Sequence, residues 1–126
     1  MKKFLATLAA GSVIALTVPS VASAKDGDIR ASGTCSGRST SKIKLSPENG
    51  SIETEFEVDQ NRNGQTWNVT ISDNGVVVVR TTAVTKAPSG SFTVRRLLTN
   101  RAGADNITAR ATNPATGESC TARATF

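Results

Sequence analysis

Ser51-Ile52-Glu53-Thr54-Glu55-Phe56-Glu57-Val58-Asp59 alternates without a break. Successive side chains of a strand point to opposite faces, so Ile52, Thr54, Phe56 and Val58 share one side and Glu53, Glu55, Glu57 and Asp59 the other. This is the period of a half-buried strand, not of a helix. A slip of one residue would bury four carboxylates, so the pattern specifies the register as well as the element.

The same reading extends to both sides of this strand. Ile43 and Leu45 alternate with Lys42 and Lys44, and Trp67, Val69 and Ile71 alternate with Asn68, Thr70 and Ser72. Asp73-Asn74-Gly75 supplies the positive-φ residues of a tight hairpin turn. Val76 to Val79 is a short β-branched run, better suited to a strand than to a helix. Pro88-Ser89-Gly90 marks another turn. Phe92 and Val94 follow as an inward pair, then Ile107, Ala109 and Ala111. After the Asn113 to Gly117 loop come Cys120, Ala122, Ala124 and Phe126. With the segment from Ile29 to Cys35 this makes about eight short strands separated by turn residues. The expected fold is all-β: an antiparallel, immunoglobulin-like β-sandwich of about seven to eight strands, with Trp67 buried on its third long strand.

Residues 1–24 read as a secretory signal peptide. Lys2 and Lys3 precede an apolar stretch from Phe4 to Val18, and Ala22-Ser23-Ala24 has the small-residue pattern of a cleavage site. Residues 25–126 are then one β-sandwich domain, expected to be secreted and extracellular, with no membrane insertion. In an oxidising compartment Cys35 and Cys120 are expected to form a disulfide that joins the first and last strands. Removing Lys2 and Lys3 leaves 13 basic against 10 acidic residues. The basic residues are scattered and aromatics are few, so no nucleic-acid partner is expected.

No histidine is present, which removes the commonest general base and every Ser-His-Asp arrangement. The expectation is a non-enzymatic protein with no catalytic residue, no metal and no cofactor. Same-face carboxylates in Glu53, Glu55, Glu57 and Asp59 lie ~6.8 Å apart. That is too far for one cation, and a solvated face neutralised by Lys42, Lys44 or Arg95 is expected instead. Asp59-Gln60-Asn61-Arg62-Asn63-Gly64 matches the first half of a calcium loop. Thr70 stands where the bidentate Glu is needed and Arg62 places a positive charge inside, so an inter-strand loop is expected. Asn49-Gly50-Ser51, Asn68-Val69-Thr70 and Asn106-Ile107-Thr108 have the form of glycosylation acceptors, on which no glycan is expected. The leading function is a binding or cell-envelope-associated module whose partner is a protein or a small molecule. Its candidate surface is one end of the sandwich, formed by residues 61–65, 82–89 and 100–105. A secreted protease inhibitor with Arg101 as bait residue is a further class.

Gly37 to Glu57, Pro88 to Arg96 and Thr116 to Cys120 resemble a group of small secreted proteins of high-GC Gram-positive bacteria. These are similar in having a signal peptide, one Cys near each end and a sandwich-like strand pattern. That resemblance implies fold and export, and no activity. Ser89 to Arg96 also resembles a segment of the neocarzinostatin-type chromophore-carrying apoproteins, exported sandwiches with short-range disulfides that this chain lacks. It implies small-molecule carriage as an alternative.

Overall fold

The computed structural model describes residues 27–126, so the expected signal peptide lies outside the described residues. Nine strands follow one another: β1 (Ile29–Ser32), β2 (Thr34–Cys35), β3 (Thr40–Glu48), β4 (Ser51–Asp59), β5 (Thr66–Asp73), β6 (Val76–Val84), β7 (Ser91–Thr99), β8 (Asn106–Thr112) and β9 (Ser119–Thr125). They form two antiparallel sheets, ordered β1-β3-β4-β7 and β2-β9-β8-β5-β6. The all-β antiparallel sandwich is therefore as expected. In the four-stranded sheet, β4 reaches its place beside β3 by a two-residue turn. An immunoglobulin constant-type sheet puts a strand from much later in the chain beside its second one.

The facing read from alternation is the facing observed. Ile52, Thr54, Phe56 and Val58 have no solvent exposure, while every intervening residue of β4 is half-buried. Ile43, Leu45, Trp67, Val69, Ile71, Ile107, Ala109, Ala111, Cys120 and Ala122 complete the interior with Phe92, Val94 and Leu98. Two-residue turns join β3 to β4 and β5 to β6. Asn49-Gly50 and Asn74-Gly75 hold φ values of 48° and 82°, and of 49° and 84°. Such a pair twists in the same sense as the strands it connects.

The segment from Ile29 to Cys35 is two strands in different sheets. β1 pairs with β3, and three residues later Cys35 stands directly opposite Cys120 on β9. Gly33 makes the switch. Its N–H donates to the Ser41 carbonyl at 2.8 Å. A Cβ there would lie within 3.0 Å of the Ser41 hydroxyl on β3 and of the Thr121 carbonyl oxygen and Ala122 methyl on β9, one strand from each sheet. We expect Gly33→Val to lower stability by roughly 1–3 kcal/mol, the usual cost of overpacking, as read from urea unfolding.

This crossing seals one flank of the sandwich. On the opposite flank β6 and β7 are the free edges of the two sheets. They are joined through residues 85–90 and the isolated Lys86–Ser91 bridge, and then diverge.

Candidate binding surface

Disulfide formation between Cys35 and Cys120 is observed, and it links neighbouring strands within one sheet. The Ser36 N–H donates to the Ser119 carbonyl at 2.8 Å, so the cysteine pair beside it is a non-hydrogen-bonded one, where side chains stand closest. Glu118 crowds the same sulfurs within 4.8 Å. Its carboxylate accepts the Ser39 N–H at 2.9 Å and the Ser39 hydroxyl at 2.8 Å. Oxidised sulfurs are not thiolate ligands, so this cluster is a brace for β9 and not a metal centre.

The outer face of the four-stranded sheet neutralises itself. Lys42 meets Glu57 at 3.5 Å and Lys44 meets Glu55 at 3.4 Å, while Arg95 reaches Glu53 at 3.2 Å and Glu55 at 3.3 Å. The carboxylate row is thus the solvated, cross-strand-paired face expected from its spacing. Residues 59–64 form the crossing from β4 to β5. The Asp59 carboxylate accepts the Asn61 N–H at 3.0 Å, and the Gln60 side-chain carbonyl accepts the Trp67 indole N–H at 2.9 Å. The Asp59 carboxylate, the first candidate ligand of the pattern, is therefore already engaged in holding the loop.

Of the three segments expected at one end, two meet there. Gly64 donates to the Thr85 carbonyl at 2.7 Å, Thr85 returns a bond to Gln65 at 2.9 Å, and Gln60 bonds Gly90 at 3.0 Å. The segment 100–105 sits at the other pole, about 27 Å away along β5. There the Asn74 amide donates to the Ala104 carbonyl at 3.1 Å, and its carbonyl accepts the Asn106 N–H at 2.9 Å. Arg101 is held in this second pole. Its Nε donates to the buried Asp73 carboxylate at 3.3 Å and its backbone N–H to Asp105 at 3.2 Å. A bait arginine must release its side chain into a protease, and this one is tied back.

Burial raises the Asp73 carboxyl above its ordinary pKa, helped by its hydrogen bond to Asp105 and the Asp105 charge, and opposed by Arg101. A raised native pKa means that the native state holds the proton more tightly than the unfolded chain. Stability from Asp73 is then fully present below its unfolded pKa and is lost as pH rises through the native one. Urea titrations of wild type and Asp73→Asn should accordingly show the wild type gaining on the variant as pH falls from 7 towards 4. The opposite trend would mean that the Arg101 pairing outweighs burial.

The outer face of the five-stranded sheet has a different chemistry. One row crosses all five strands as Thr34, Thr121, Arg110, Thr70 and Arg80, in that order by register. The next contains Arg123, Thr108, Ser72 and Val77, and a third Ser119, Thr112, Asn68 and Thr82. Two copies of Thr-Ala-Arg-Ala-Thr, residues 108–112 and 121–125, build the centre of this surface. Their alanines point into the core and their threonines and arginines point out. Arg80, Arg110 and Arg123 are exposed and make no ion pair among the described residues. None of the described acids lies on this face. Glu48, Glu53, Glu55, Glu57 and Asp59 belong to the other sheet, Asp28 precedes it, Asp73 and Asp105 are buried, and Glu118 bonds Ser39.

This face continues around the β6 edge into a hollow of about 450 Å³ between β6 and β7, whose lining includes Arg80, Arg96, Leu97 and Arg101. Trp67 is fully buried and lines none of the hollows described for this surface or its flank. No protein-family model matches the chain, and no curated protein matches it.

Proposed function

We propose that this chain is an exported, non-enzymatic binding module of immunoglobulin-like sandwich type that associates with the cell envelope through the outer face of its five-stranded sheet. The observation that carries this reading is the segregation of charge. The outer face of one sheet pairs Lys42, Lys44 and Arg95 with carboxylates, and the outer face of the other presents Arg80, Arg110 and Arg123 at fixed spacing with no described acid on it. Placing like charges together on a rigid surface costs energy that an anionic partner recovers. The leader-like N-terminus and the Cys35–Cys120 disulfide support an extracytoplasmic site of action. So does the resemblance to small secreted proteins of high-GC Gram-positive bacteria.

A small-molecule carrier finds less support, because the one tryptophan is occupied in the core and the hollow beside β6 and β7 has Arg80, Arg96, Arg101 and Asp73 in its lining and no aromatic residue. The purified, disulfide-bonded protein should sediment with the insoluble envelope fraction of the producing organism at 20 mM salt (roughly 20 Å of screening length) and be released at about 0.5 M. Retention at high salt would point to an apolar or covalent attachment, and absence from the pellet at both concentrations would refute envelope association.

A further inference from the structure

We infer that the partner of this face is a linear, phosphate-bearing polymer of the cell envelope; the inference rests on the binding-module reading above and names its ligand. The argument is geometric. Arg80 and Arg110 flank Thr70 in one row, which places each guanidinium-bearing residue about 4.8 Å from the central threonine. Arg123 is the diagonal neighbour of Arg110, at roughly 7–8 Å, through the pairing of Arg110 with Thr121. Anionic groups spaced along a chain can therefore meet one guanidinium after another across three adjacent strands and the edge strand.

Residue type narrows the ligand. All three cations are arginines, although the chain has lysines elsewhere, and a guanidinium fork matches the paired oxygens of a phosphate. Thr70 and Thr121 add hydroxyl donors beside the guanidinium groups, so one anion receives hydrogen bonds from two residues at once. A phosphate presents its acceptor oxygens in a tetrahedron and can meet guanidinium and hydroxyl donors on several sides at once, whereas the two oxygens of a carboxylate lie in one plane. No aromatic residue stands on the face, which leaves neither a stacking platform for bases nor one for sugar rings. A second copy docked through the same face would set arginines against arginines.

Fluorescence anisotropy of labelled linear polyphosphate, titrated with the full disulfide-bonded protein, tests this. Affinity should weaken about 20-fold between 50 and 200 mM salt, from a log–log slope of about 2, or roughly 0.7 for each of three arginines. Arg110→Gln should lower that slope by about 0.7, and the triple Arg80→Gln, Arg110→Gln, Arg123→Gln variant should abolish binding while keeping the wild-type unfolding midpoint. Arg95→Gln, on the opposite face, should bind as wild type. Equal affinity for polyglutamate would overturn the phosphate assignment, and tighter binding of single-stranded DNA would make the partner a nucleic acid. Binding untouched by the triple variant would overturn the face itself. Should the protein sediment with the envelope yet ignore polyphosphate, the binding-module reading stands and the ligand named here falls.

Discussion

Replacing Cys35 and Cys120 together by serine should lower the unfolding free energy by about 4.5 kcal/mol, the loop-closure entropy expected for a cross-link spanning 85 positions. For a domain of about 100 residues that corresponds to a fall of roughly 20 °C in Tm. The structure gives a specific reason to expect a loss near this figure. β2 has only two residues, so its ladder with β9 contributes few hydrogen bonds of its own. Without the covalent link, the crossing at Gly33 is held at its far end by that short ladder, the Ser36–Ser119 pair and the Glu118–Ser39 bonds. Urea unfolding followed by circular dichroism measures the effect, and reduction of the wild type should reproduce it. A loss below about 1 kcal/mol would show that closure of the sealed flank depends on packing rather than on the staple. A chain so dependent on its disulfide would be poorly suited to a reducing compartment, which links this measurement to the proposed site of action.

The strands with one buried and one wet face could be read from sequence because burial imposes the period. β4 is the clearest instance, and β3, β5, β8 and β9 follow the same rule. β6 was legible only as far as Val79. As an edge strand opening onto the flank it is nowhere fully buried, so its second half, Arg80 to Val84, alternates between exposed and half-buried positions without a matching alternation of polar and apolar residue types. Gly33 was not distinguishable from any other strand residue, since what it avoids are Ser41 on the paired strand β3 and β9, a strand nearly 90 positions away. The error over residues 100–105 had a remedy in the sequence itself. A single strand, β7, separates that loop from the Pro88 turn, and one strand carries the chain from one pole to the other. The arginine face was missed for a related reason. Arg80, Arg110 and Arg123 are neighbours only through register, yet the repeated Thr-Ala-Arg-Ala-Thr was visible and signals two strands with the same outward chemistry. Asn49-Gly50 likewise read as part of a glycosylation acceptor and is the β3–β4 turn.

Trp67→Ala is the second substitution with a large expected cost, about 3–5 kcal/mol, the range found when a fully buried large aromatic is truncated. Trp67 lies on β5 and packs against Phe92 of β7, with ring centroids 6.1 Å apart, and Phe92 meets Phe56 of β4 edge-on at 6.4 Å. These three rings bridge the two sheets just beneath the open flank, where β6 and β7 share no continuous ladder. Contact between rings therefore does on this side what the Gly33 crossing and the disulfide do on the other. Trp67→Phe separates the two contributions of the indole. It retains most of the apolar contact but removes the donor to Gln60, and should cost about 1–2 kcal/mol, a hydrogen bond plus a small void. If the rings act as one unit, Trp67→Ala combined with Phe92→Ala will cost less than the sum of the two single losses, by 0.5 kcal/mol or more. Full additivity would mean that each ring is held by its own sheet. Since Trp67 points inward from the strand whose outward residue Thr70 sits between Arg80 and Arg110, the folded fraction of Trp67→Phe should keep its polyphosphate affinity. A parallel loss of affinity would mean that the spacing of the arginine row depends on the core beneath it.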